Sequence, residues 1–302
     1  MTAIWVDTDF GFDDLWALLL LRHLGHEVAG VSLVAGNAPL AQVCANAMGA
    51  KEAYGFDWPV WQGADRPLKR LPETAERILG PTGMRSRGAR LPVSRSGAPP
   101  KGAPDAMRDW LQTANDAKCR ILALGPLTNI AQLVTQSPEV TGRIERLVWM
   151  GASAGAGNHT PMAEFNAVAD AEALDCVLAS GLAVDIVDLT FCRKVTFGPE
   201  DMPETDELTR DLLGGYLDIA LERARPGMAI YDPLAALAVA DPDSIGFSSC
   251  KIEVSTETDE SYGATKVIET SSSTTRISTE ANADLAQLCL SALKREALNG
   301  PR

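Results

Sequence analysis

The first fifty residues alternate short apolar runs with helical patterns. Residues 3–6 (AIWV) are apolar and stop at acidic residues, and residues 13–24 then read as a helix with a buried apolar face. Residues 27–34 (EVAGVSLV) read as a second strand, stopped by Ala35, Gly36 and Asn37, and residues 39–49 are again helical. A strand, loop and helix repeated in this order dictate parallel strands joined by right-handed crossovers. Further strands are expected at 119–124, 144–150 and 184–189, and helices at 129–135, 170–179 and 207–222. The last third changes character. Residues 250–254 and 265–270 resemble paired, Thr-rich strands, and 282–298 a closing amphipathic helix. The expected fold class is α/β: a single domain over residues 1–302, Rossmann-like, with a mainly parallel central sheet flanked by helices.

Charge and cysteine usage narrow the function classes. Forty acids against 27 Lys and Arg give a net charge of −13, which repels phosphate backbones and argues against nucleic acid as a partner. The six cysteines (44, 119, 176, 192, 250 and 289) are scattered without a CxxC pair or a Cys/His cluster. Free thiols in a reducing compartment are therefore expected, and structural zinc is not. The longest apolar run, 15–21, is too short to span a bilayer. The N-terminus lacks a basic region followed by an apolar stretch and cleavage site. A cytoplasmic protein with no membrane partner is the expectation. One long loop, 80–104, is rich in Gly, Pro and Ser, and carries Arg85, Arg87, Arg90, Arg95 and Lys101 without an acid. It reads as a solvated flap or an active-site lid.

In open parallel sheets ligands bind beyond the carboxyl ends of the strands. After the first strand come Asp7, Asp9, Asp13 and Asp14, four carboxylates in the eight residues DTDFGFDD. Packed together they raise each other's pKa unless a cation sits among them. Helix capping accounts for Asp13 or Asp14, but not for Asp7 and Asp9 as well. Every candidate ligand is oxygen, so the ion is hard, and Ca²⁺ suits such a set better than the tight octahedron of Mg²⁺. Other strand ends add Asn37, Thr128 and Asn129, the segment 157–166 (GNHTPMAEFN), and Tyr231-Asp232-Pro233. Singly, Asn37 also reads as a turn former, Glu164 as a solvated charge and Asp232 as an N-cap before proline. Their joint placement after separate strands is the informative part.

The segments DTDFGFDD, ALGPLTNIA (123–131), MGASAGAGNHTPMAEFNAVADAEA (150–173) and YDPLAALAVADPD (231–243) resemble, in order and spacing, the motifs of the inosine-uridine preferring nucleoside hydrolase family. The resemblance implies the nucleoside hydrolase fold and Ca²⁺-dependent cleavage of a ribonucleoside into base and ribose. It implies Asp9, Asp14, the Thr128 carbonyl and Asp232 as metal ligands. It implies Asp13, Asn37, Met150, Asn158, Glu164 and Asn166 as the ribose grip, and Asp9 as general base toward a metal-bound water. It also implies a homodimer or homotetramer and mobile loops at about 79–104 and 223–231. Carboxylates and amide oxygens suit this chemistry because positive charge develops on the ribosyl ring, and fixed hydroxyls align the anomeric carbon with the water.

Two histidines common in that family are absent, with Leu79 and Tyr231 at their positions. Activation of the leaving group must come from elsewhere. Tyr231 is a catalytic candidate, although a phenol near 10 is a weak acid at neutral pH. Arg223 and Arg225 are candidates to hydrogen-bond the base, as is the basic loop closing over it. Phe10, Phe12, Trp61 and Tyr231 are candidates to stack on it, Trp61 reading more readily as core. Altered base specificity over an intact ribose site is the expectation. Two rivals stand beside this reading: a Ca²⁺-dependent ribose or nucleoside sensor with little turnover, and a haloacid-dehalogenase-like phosphatase, which also begins strand-DxD.

Overall fold

The computed structural model describes residues 3–114 and 119–298. In chain order the elements are β1 (Ile4–Thr8), α1 (Phe12–His23), β2 (Val28–Leu33), α2 (Leu40–Tyr54), β3 (Val60–Gln62), α3 (Glu76–Leu79), α4 (Ala103–Thr113), β4 (Cys119–Ala123) and α5 (Thr128–Gln136). There follow β5 (Ile144–Met150), α6 (Phe165–Ala169), α7 (Ala171–Ala179), β6 (Val184–Val187), α8 (Leu189–Cys192), β7 (Thr196–Phe197), α9 (Glu207–Leu221), β8 (Met228–Ala229) and α10 (Asp232–Ala240). The chain closes with β9 (Ile245–Val254), β10 (Thr265–Glu269), β11 (Arg276–Ala281), α11 (Leu285–Ser291) and α12 (Arg295–Leu298).

A nine-stranded sheet runs β10-β9-β11-β6-β5-β4-β1-β2-β3. Its strands from β3 to β11 pair parallel, and β9 pairs antiparallel with both β11 and β10. β1 is the turning point of the winding: β2 and β3 lie to one side, β4, β5 and β6 to the other. The crevice at such a reversal, beyond the strand carboxyl ends, is where open α/β sheets bind ligands.

β1 is buried along its whole length, as a strand covered on both faces must be. Its alternating side chains feed two cores. Ile4 and Val6 join Leu15, Leu18 and Leu234 on the face of α1 and α10. Trp5 joins Ile121, Leu147 and Trp149 on the face of α4, α5 and α7. Trp61 stacks on Trp5 with ring centroids 5.2 Å apart, so it belongs to the core and not to a base-stacking surface. Phe12 likewise packs on Trp16 and Tyr216.

Several expectations are corrected here. The loop expected over 80–104 ends two residues earlier, at Gly102, because Pro104 lies in the first turn of α4, where a missing N–H costs nothing. The strand expected over 184–189 stops at Val187, and Asp188 caps α8 by accepting from the Thr190 and Phe191 N–H groups at 3.0 and 3.1 Å. The single closing helix is two short ones, α11 and α12, preceded by the unforeseen β11. None of the six cysteines, all among the described residues, is in a disulfide. Among the described residues no helix is long and apolar enough to cross a membrane.

Candidate active site

The loop after β1 sets the site. Phe10 adopts φ +41°, a left-handed conformation that costs a bulky residue energy. Its ring lies fully buried in the core, and Asn46 donates to its carbonyl at 3.1 Å. Phe10 therefore has no face for a base, contrary to the stacking role considered for it. The Asp14 carboxylate gathers the turn: it accepts the Thr8 hydroxyl and the Gly11 N–H, the latter at 2.7 Å. This is the capping function anticipated for one of the α1 aspartates. Asp7 is turned away, accepting from Ser32 and from Asn129 Nδ2 at 2.8 Å.

Asn37, after β2, holds both oxygens of Asp9: its backbone N–H donates to Oδ2 at 2.7 Å and its Nδ2 to Oδ1 at 3.0 Å. A Cβ on Gly36 would lie 2.1 Å from Asp9 Oδ2, so only glycine lets the two chains approach this closely. Carboxylate oxygens of Asp13, Asp14 and Asp232 lie within 4.8 Å of one another. Asp232 is the first residue of α10 and makes no side-chain cap, so the capping reading of it fails. Burial raises all four carboxyls. Asp9 stands well above its usual range through burial, then Asp14 and Asp13. Asp232 does so through burial, then Asp13, Asp14 and Asp9. Asp13 is raised to about 7 by burial and Asp14. Asp14 is raised by burial.

A cavity of about 220 Å³ opens over this cluster. Asp9, Asp13, Asn37, Met150, Asn158, Glu164, Asn166 and Asp232 all line it, together with Tyr231, Arg223 and Arg225. The wall after β5 is rigidly made. Glu164 caps α6, accepting from the Asn166, Ala167 and Ala152 N–H groups at 2.8, 3.0 and 3.0 Å. It is buried, not the solvated charge that was an alternative, and burial raises it to about 7. Asn166 Nδ2 donates to the Leu124 and Met150 carbonyls at 2.9 and 3.0 Å, tying the ends of β4 and β5. Asn158 Oδ1 accepts the Phe165 N–H at 2.9 Å.

Two expected participants lie off the cavity wall. Asp14 is buried beneath it, and Thr128 sits in the first turn of α5 with its hydroxyl donated to Asp170 at 2.7 Å. Burial also pushes the Tyr231 phenol up to about 12, which makes it a poorer proton donor than an ordinary tyrosine.

The cavity contains residues to which the sequence reading gave no role. Tyr216 on α9 donates to Asp13 Oδ2 at 3.0 Å. Ile78 and Leu79 of α3 form an apolar wall. Arg193 donates to the Ala156 and Gly157 carbonyls at 2.6 and 2.7 Å. His159 pairs with Glu73 at 2.6 Å beside Phe165. Of the loop's basic residues considered for closing over the base, Arg85 pairs with Glu222 and Arg87 with Asp218 on the α9 side, and Arg95 with Glu52 on α2.

Residues 4–289 match the family described as inosine-uridine preferring nucleoside hydrolase. The chain belongs to that family. It is 34% identical over 272 residues to the non-specific ribonucleoside hydrolase RihC of Escherichia coli O127:H6 (strain E2348/69 / EPEC), covering 87% of each protein. In fold it is similar to the purine-preferring ribonucleoside hydrolase from Gardnerella vaginalis (TM-score 0.86, 21% identity, 97% of this chain and 99% of that one). It is also similar to an inosine-guanosine nucleoside hydrolase (TM-score 0.85, 22% identity, 98% of each). Family membership makes this nucleoside hydrolase relative an N-glycosyl hydrolase, and removes the phosphatase alternative.

Proposed function

We propose that the cavity hydrolyses the N-glycosidic bond of a ribonucleoside, releasing ribose and the free base, with a Ca²⁺ ion held at the aspartate cluster. The observation that carries this reading is the convergence, in one cavity, of Asp9, Asp13 and Asn37 from the β1 and β2 ends with Asn158, Glu164, Asn166 and Asp232. So many carboxylates and amides suit a polyhydroxyl ligand and a transition state that gains positive charge.

The donor set fits a hard divalent cation. Three carboxylates have oxygens within 4.8 Å, and each is raised by burial with no cation side chain among its partners. Asp14 and Asp232 would hold the ion, with Asp9 and the Thr128 carbonyl as the further ligands the family resemblance implies, and Asp13, whose carboxylate lies in the same cluster, is left for the ribose. When bound, it would neutralise the cluster, lower the pKa of a coordinated water and orient the sugar diol.

The protein residues do the rest. Asp9 takes a proton from the attacking water, its carboxylate aimed by the two Asn37 bonds. Asp13, held by Tyr216, and Glu164, held by three backbone N–H groups, present fixed oxygens to the ribose. The apolar wall of Ile78 and Leu79 excludes water from the departing base.

The test is a panel of inosine, uridine, cytidine and p-nitrophenyl riboside, assayed for free ribose with Ca²⁺ and with chelator. Ca²⁺-dependent ribose release that Asp9→Asn abolishes is the expected result. Tight riboside binding with no turnover on any member would establish the sensor reading in its place.

A further inference from the structure

The cavity is divided by charge. Its floor is acidic, and its rim on the side of α9 and α8 carries Arg193, Arg223 and Arg225. In a chain where acids outnumber Lys and Arg 40 to 27, most arginines find a carboxylate. Arg223 and Arg225 do not: among the described residues their side chains make no hydrogen bond or ion pair. The acids next to them are already committed. Glu222 is bound by Arg85 at 2.7 Å, and Asp218 by Arg87 at 3.0 and 2.6 Å.

The backbone holds these two arginines beside the cavity. The Arg223 and Arg225 N–H groups both donate to the Ala220 carbonyl at 3.0 Å, and Ala224 between them has φ +54°. A left-handed alanine is a strained way to end a helix that glycine would end freely. The positive charges of Arg193 and Arg225 both act on the phenol of Tyr231, which lies on the same wall.

Guanidiniums lining the cavity are the wrong environment for an ordinary neutral base. They oppose the proton such a base needs as it departs, and the wall offers no histidine at either position common in the family. They are the right environment for a carboxylate, which they bind through charge-assisted, planar hydrogen bonds. We infer that the aglycone end of this cavity recognises a leaving group bearing an anionic substituent, a carboxylated nitrogen heterocycle, through Arg223 and Arg225. This rests on the hydrolase reading above and names its substrate class. A heterocycle joined to ribose through a quaternary ring nitrogen also needs no acid. The water oxygen bonds to C1′ and its proton passes to Asp9. The C1′–N electron pair stays with the ring nitrogen, which departs neutral while its carboxylate remains on the arginines.

The experiment compares kcat/KM for two ribosides of similar shape, pyridinium-3-carboxylate and pyridinium-3-carboxamide, whose intrinsic difference in reactivity is common to both proteins compared. Wild type is expected to prefer the carboxylate by about tenfold or more, and Arg223→Gln/Arg225→Gln to reduce that ratio at least about fivefold. Taking the ratio within each protein cancels losses of folding or of ribose chemistry. A smaller preference in wild type, or one that survives the double substitution, overturns the inference. Turnover of uridine without the carboxylate preference would remove this proposal and leave the hydrolase reading standing. No ribose from any riboside would remove the hydrolase reading itself.

Discussion

Asn37 binds Asp9 twice, through its backbone N–H at 2.7 Å and its side-chain amide at 3.0 Å. The second bond is removable without moving the backbone. Asn37→Ala removes that bond and the longer one from the same amide to Asp14 Oδ2 at 3.4 Å, and should lower kcat/KM about 10- to 100-fold, the worth of losing a hydrogen bond to a charged group. Steady-state assays on inosine or uridine test this, with circular dichroism confirming the fold. A loss under about threefold would show that the backbone bond alone positions the base.

Tyr216 reaches the site from α9, with its hydroxyl donated to Asp13 Oδ2 at 3.0 Å. Phenylalanine keeps the ring in the core and removes that bond, together with a long one to the Ala229 carbonyl at 3.4 Å. Tyr216→Phe should raise KM about tenfold and change kcat by less than about threefold, since it loosens a ribose ligand and leaves Asp9 alone. A fall in kcat with KM unchanged would place Tyr216 in the chemical step.

How much of this could be read from the chain depends on the range of the interactions. Asp9, Asp13 and Asn37 were legible because they follow apolar runs that end abruptly, and Glu164 because it sits in the dense polar segment after β5; parallel sheets put all such ends on one side. Tyr216 and Arg193 were not. Both lie in or beside helices whose composition is ordinary, and only tertiary packing brings them to the cavity. Phe10 was misread because nothing local shows that its φ of +41° turns the ring inward. The loop arginines were misread for a similar reason: Arg87 and its partner Asp218 stand 131 residues apart. β11 (RISTEA) escaped notice because a short, mostly polar strand has no alternation to see.

The same loop rests on two helical glycines. A Cβ on Gly215 would lie 2.5 Å from the Arg85 carbonyl carbon and the Ser86 nitrogen. Alanine gains about 1 kcal/mol of helix propensity, but overpacking against backbone costs about 1–3 kcal/mol. Gly215→Ala should therefore destabilise the protein and expose the bonds after Arg85 and Arg87 to trypsin. Urea unfolding and timed proteolysis check both effects. A variant more stable than wild type, with the loop still resistant, would contradict the close contact.

Glu164 carries a pH signature. Burial raises its folded pKa from 4.5 to about 7 despite three backbone donors. A carboxyl whose folded pKa lies above its unfolded value binds its proton more tightly when folded. Its contribution is complete below about 4.5 and is lost as pH rises through about 7. In chelator, wild type should lose more stability between pH 5 and pH 8 than Glu164→Gln, by something on the order of 2–3 kcal/mol. Asp7 and Asp13, both also raised to about 7, titrate in either protein and cancel in the comparison. Denaturant midpoints at the two pH values give the difference of slopes. Equal slopes would mean that the three N–H groups hold Glu164 ionised throughout, and that the cavity wall after β5 carries a permanent negative charge.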